Sequence, residues 1–252
     1  MQQAVKIDIE ELTREPYAQV LCYPRFGISE IRRRRKELRG LGICTLEFCG
    51  EKEISGIPIL GKGCVGIVIV AHTGSGKMAL KIRRLDADRS TMRHEADMLA
   101  RANAVKVGPR LYKSSANFLL TDFVDGELLP DWLRKRRGKK TTRKVLDELI
   151  SQCRRLDRIG LDHGELSHAP KHVIVNGYDV PCIVDFESAS INRRPSNLTS
   201  ICQYLFVKGS VADRIARLLG KTNREKVIAA LRRYKKTRND ELFEQVLAAV
   251  GL

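Results

Sequence analysis

Gly61-Lys62-Gly63-Cys64-Val65-Gly66 spaces three glycines as GxGxxG. Glycine lets the main chain approach a ligand closely, and successive backbone N–H groups in such a loop suit phosphate oxygens. The apolar run from Ile67 to Ala71 follows at once and reads as a strand. The loop is therefore expected to be a hairpin flap, because a dinucleotide-binding loop leads from a strand into a helix. A second glycine-rich stretch, Gly74-Ser75-Gly76-Lys77, lacks the chemistry of a phosphate loop. Ala71 stands where the first glycine would fall, and Met78 replaces the magnesium-binding Ser or Thr. It is expected to be a β-turn.

Met78-Ala79-Leu80-Lys81-Ile82 sets one lysine in an apolar strand. Alternation sends its neighbours into a core and Lys81 to the other face, one strand from the flap. Glu95, on the helical segment that follows, is the expected ion-pair partner that holds this lysine extended. Asp97 lies on a different face of the same helix.

These residues need elements to position them. From Ile28 to Leu41, apolar residues recur at 28, 31, 38 and 41 with arginines on the other faces, the pattern of a basic amphipathic helix. Gly40 and Gly42 stop it, and Ile43 to Cys49 alternates as a strand. Residues 57–71 and 77–83 predict three strands joined by tight turns. A helix is expected over about 90–103, with strands over 110–113 and 117–124 and a turn at Asp125-Gly126. Val145, Leu146, Leu149, Ile150, Cys153 and Leu156 make a helical stripe. A loop over 160–171, short strands at 172–175 and 181–184, and helix from about Leu198 complete the chain. Strands first and helices later predict an α+β chain of two lobes divided near residue 126. The expected parts are an N-terminal extension (1–50), a sheet lobe (51–125) and a helical lobe (126–252).

In this order, the glycine run, Ala79-Leu80-Lys81, Glu95 and Leu119-Leu120-Thr121-Asp122-Phe123 resemble the N-lobe and hinge of the protein-kinase-like superfamily. His163-Gly164-Glu165-Leu166-Ser167, His172-Val173-Ile174-Val175 and Val184-Asp185-Phe186-Glu187 resemble its catalytic and metal-binding loops. The pattern is most similar to the atypical RIO-like and lipopolysaccharide-kinase-like branch, in particular its short archaeal predicted Ser/Thr kinases.

The resemblance implies an antiparallel-sheet N-lobe with one main helix and a reduced, mainly helical C-lobe. It implies ATP-dependent transfer of the γ-phosphate to a hydroxyl, first of all that of a protein Ser or Thr, autophosphorylation included. Gly61, Lys62, Gly63 and Gly66 would cover the phosphates, and Lys81 would hold the α- and β-phosphates with Glu95 beside it. Thr121 matches the gatekeeper, and the backbone of Asp122, Phe123 and Val124 would take adenine. Asp185 would carry Mg2+ or Mn2+, with Glu187 and His172 at the other metal-ligand positions, and Glu165 would be the catalytic carboxylate. The departures are Glu165 for aspartate, His172 for asparagine, Glu187 for glycine, and a longer loop between residues 165 and 172. They leave a nucleotide-binding pseudokinase switch and a small-molecule kinase as alternatives. His163 is expected to brace the loop. No Ala-Pro-Glu motif follows Glu187, so the long peptide-docking segment of typical protein kinases is not expected.

The formal net charge is +16, which favours anionic partners. The main basic blocks are Arg32 to Lys36, Arg134 to Lys140 and Arg232 to Lys236. Aromatic residues make up only 6% of the chain and do not interleave with these blocks as base-stacking platforms would. A nucleic-acid or ribosome-associated module on a kinase scaffold is thus a third alternative, its arginines otherwise left in solvent. The acidic first eleven residues lack the layout of a signal peptide, and seven scattered cysteines, most of them inside apolar runs, read as reduced core thiols. A cytoplasmic protein without a membrane span is expected.

Overall fold

The structure, a computed structural model, describes residues 4–12, 15–135 and 138–252, with His168 described by its backbone alone. Arg136 and Arg137 of the second basic block lie outside the described residues. The fold is α+β and divides into two compact units, one of residues 1–97 and 110–123, the other of residues 98–109 and 124–252.

The first unit runs β1 (Val5–Asp8), α1 (Tyr17–Leu21), α2 (Ile28–Leu41), β2 (Ile43–Phe48), β3 (Lys52–Ile54), β4 (Ile57–Ile59), β5 (Gly61–Lys62), β6 (Gly66–Thr73) and β7 (Gly76–Arg83). The start of α3 (Arg93–Ala104), β8 (Leu111–Ser114) and β9 (Phe118–Asp122) complete it. Its antiparallel sheet has the order β1-β2-β6-β7-β9-β8, with β5 also on β6. The β6–β7 hairpin pairs Thr73 with Gly76 across Gly74-Ser75, and Gly76 takes φ +112°, so the second glycine-rich stretch is a β-turn. The described residues of 1–50, expected as an extension, contribute to this sheet and its core. β2 pairs with β6, and Leu12, Leu21, Ile31 and Leu38 share one apolar cluster with Ile67, Ile69 and Leu80.

α2 occupies the predicted residues and ends on Gly42 in the left-handed conformation. It lies against β2 and β9. Its buried face is Ile31, Arg34, Leu38 and Leu41, while Ile28 is 61% exposed. The expectation that the arginine block stays in solvent fails at Arg34, which is fully buried. Its guanidinium donates to the Leu21 and Arg83 carbonyls at 2.6 and 2.7 Å, to Asn117 Oδ1 at 3.2 Å and to Glu30 at 2.6 Å. Burial drives the Glu30 carboxyl up, but hydrogen bonds from Arg33 and Arg34 prevail and hold it below the usual range.

The second unit contains the rest of α3, then β10 (Gly126–Leu128), α4 (Leu129–Arg134), α5 (Lys139–Arg158), β11 (Val173–Asn176) and β12 (Pro181–Ile183). α6 (Asn197–Phe206), α7 (Ser210–Leu219), α8 (Arg224–Thr237) and α9 (Asp240–Val250) follow. β10-β11-β12 form a small antiparallel sheet, and α5 packs its predicted stripe on α6, α7 and β12. Asp157 of α5 ties three helices together. It accepts from the backbone N–H and side-chain amide of Asn197 and from the Tyr234 hydroxyl. All seven cysteines are free thiols, but the expectation that they sit in the core holds only for Cys22, Cys153 and Cys202; Cys44 and Cys64 are exposed and Cys49 and Cys182 half-buried. Among the described residues, no helix is long and apolar enough to cross a membrane.

Candidate functional site

In the first unit, β7 and α3 bring Lys81 and Glu95 together. Lys81 Nζ lies 3.0 Å from each oxygen of the Glu95 carboxylate. Both side chains are largely shielded, at 12% and 5% exposure, so neither charge is well hydrated and each depends on the other. Asp97 is exposed and takes no part. The glycine run is a hairpin between β5 and β6, as its spacing predicts, and Gly63 N–H bonds to the Gly66 carbonyl at 2.8 Å. Gly66 has a specific steric duty. A Cβ there would stand 2.9 Å from Lys81 Cγ and 3.0 Å from Cε, whereas Gly61 and Gly63 have room. The lysine side chain therefore lies along the flap because residue 66 has no side chain.

Lys62 engages its own unit: Nζ donates to the Tyr23 hydroxyl at 2.6 Å and sits 4.2 Å from the Tyr23 ring centroid. Arg84 takes the same ring and donates to the Gly63 carbonyl at 2.8 Å. The flap is braced from Tyr23, a residue the motif reading passed over. Thr121 is buried opposite Ala79, and its hydroxyl donates to the Asp122 carbonyl. The β7–β9 ladder ends at Met78 and Asp122, so Phe123 and Val124 lie beyond it, with Lys77 Nζ 4.2 Å from the Phe123 ring centroid.

In the second unit, Glu165, His172 and Asp185 form one cluster. His172 Nδ1 is 3.7 Å from Asp185 and its Nε2 is 3.9 Å from Glu165. Asp185 and Glu187 carry carboxylate oxygens within 4.8 Å of one another. Asp185 adopts φ +72°, a left-handed backbone that a β-carbon residue takes only when its surroundings impose it. Those surroundings are on both sides. The Val184 N–H bonds to the His172 carbonyl at 2.9 Å, and buried Phe186 stacks edge-on against His163 at 4.9 Å.

His163 is fully buried, and its Nε2 lies 3.1 Å from the Val184 carbonyl, which fixes Nε2 as the protonated nitrogen. Burial first, then the neighbouring His172, pushes the His163 imidazole down to about 4. It is neutral and braces the loop, as the sequence reading expects. The Glu165 Oε1 accepts from the Ser188 hydroxyl at 3.0 Å. Ser188 and Arg193 carry no motif signal; the only trace is polar spacing after Phe186.

No protein-family model matches the chain. It is 29% identical over 94 residues to an uncharacterized protein of Methanocaldococcus jannaschii, a match covering 37% of this chain and 78% of that protein.

Proposed function

We propose that this chain is an atypical, RIO-like phosphotransferase that moves the γ-phosphate of ATP to a hydroxyl, with a protein Ser or Thr as first acceptor class. The observation that carries this reading is the shielded Lys81–Glu95 pair laid along Gly66. A lysine kept extended beneath a glycine flap suits the α- and β-phosphates, and the backbone beyond Asp122 suits adenine. The second unit supplies hard carboxylate oxygens at Asp185 and Glu187, a donor set that fits Mg2+ or Mn2+. The imidazole of His172 suits such a cation poorly. A bound cation would neutralise phosphate charge there; Glu165 would orient the acceptor hydroxyl and receive its proton.

A second reading, a nucleotide-binding switch without transfer, is favoured by His172 between the carboxylates of Glu165 and Asp185. The deciding experiment is ATP turnover with magnesium or manganese alongside nucleotide-binding titrations. Wild-type turnover lost in Lys81→Ala, Asp185→Ala and Glu165→Gln supports transfer. Binding lost in Lys81→Ala with no turnover anywhere supports the switch, and absence of nucleotide binding refutes both.

A further inference from the structure

We infer that Ser188 is a positioning residue for the Glu165 carboxylate, held in place by an Arg193–Asp162 clamp; this rests on the phosphotransfer reading. Glu165 stands where the resembled family has the shorter aspartate, so its carboxylate has an extra torsion to fix. Side chains rich in rotamers are pinned only by partners. Ser188 Oγ gives Glu165 Oε1 one at 3.0 Å. The other oxygen, Oε2, lies 3.9 Å from His172 Nε2.

Ser188 is itself held by the backbone. Asp162 and Ser190 exchange two N–H to carbonyl bonds, 2.9 and 2.8 Å, which lock the segment after Asp185 against the loop that carries Glu165. Arg193 closes the arrangement. Its Nε donates to Asp162 Oδ2 at 3.0 Å and its Nη2 to the Ser188 carbonyl at 2.6 Å. The other Asp162 oxygen accepts from the Ser196 N–H at 3.0 Å, one residue before α6. Gly164 makes the approach possible. At φ +88° it bears no side chain, and a Cβ there would stand 2.6 Å from Arg193 Nη2 and 2.9 Å from the Ser188 carbonyl oxygen. From Asp185 to α6, the chain is thus tied to residues 162–165.

Steady-state kinetics of the full chain with ATP and magnesium test this with Ser188→Ala and Ser188→Thr. Misplacement of a reacting group by about 1 Å costs on the order of 100-fold. Ser188→Ala is therefore expected to lower kcat by about 10- to 100-fold while KM for ATP and the melting temperature stay put. Ser188→Thr, which keeps the hydroxyl, is expected to restore most of the rate. Wild-type kcat in Ser188→Ala, or a loss shared by KM and melting temperature and not rescued by threonine, overturns the positioning role while leaving phosphotransfer intact. A wild-type chain with no turnover refutes the phosphotransfer reading and this role together.

Discussion

At the residue scale, two buried groups carry charge consequences of opposite kinds. Arg34 satisfies the Leu21 and Arg83 carbonyls and Asn117 from inside the first unit. Arg34→Met strips those acceptors at once and is expected to cost about 3 kcal/mol or more in urea unfolding. Arg32→Ala, on the exposed face, is expected to change stability by less than about 0.5 kcal/mol. Arg34→Lys is not expected to rescue, since an ammonium cannot reproduce the planar fork.

His163 acts through protonation. Its native pKa of about 4 lies below the ordinary value of 6.5, so between these pH values the unfolded chain binds a proton that the native chain refuses. Stability from this residue is complete above about pH 6.5 and falls as pH drops towards 4, by roughly 3 kcal/mol across the window. Urea midpoints at pH 7 and pH 4.5 are expected to differ less in His163→Gln than in wild type. The position of Arg34 is legible in the sequence: three residues after Ile31 and four before Leu38, it sits on the stripe. Charge alone assigned it to solvent, because a guanidinium with four partners cannot be told from a hydrated one without its acceptors.

At the element scale, helices with strong periodicity were the most readable. α2 fills the residues its stripe and glycines marked, and the stripe from Val145 to Leu156 lies within α5. β1, α1, β3 and β10 were not read from the sequence; each has five residues or fewer, so few that even the alternation of Val5-Lys6-Ile7-Asp8 does not stand out from chance. α8 and α9 each begin with an asparagine whose side chain accepts from a backbone N–H, Asn223 from Lys226 and Asn239 from Leu242. Asn239→Ala is expected to cost about 1 kcal/mol, read as a lowered thermal midpoint, and Asn239→Asp to be nearly neutral. The two halves of the candidate site were readable to different depths. Lys81 and Glu95 follow from strand and helix period, whereas Ser188 reaches Glu165 through a backbone bridge between residues 162 and 190, which no local pattern encodes.

At the scale of the whole molecule, a single cut does not separate the two units. Residues 98–109 belong with residues 124–252, while residues 110–123 return to supply β8 and β9 to the first sheet. The fragment 124–252 therefore lacks Leu99, whose side chain and that of Phe186 both border Gly108. Expressed alone, it is expected to bind a hydrophobic dye and show poor amide dispersion. The full chain is expected to do neither. The same interleaving imposes an order on synthesis. As the chain leaves the ribosome, β7 is exposed before its neighbour β9 exists. The buried side chains Met98, Leu99 and Val107 emerge long before Phe186 does. A nascent chain stalled after Val107 but before β9 is expected to carry an open sheet edge and an uncovered helix at the same time, and to bind a chaperone more readily than one stalled after Phe186.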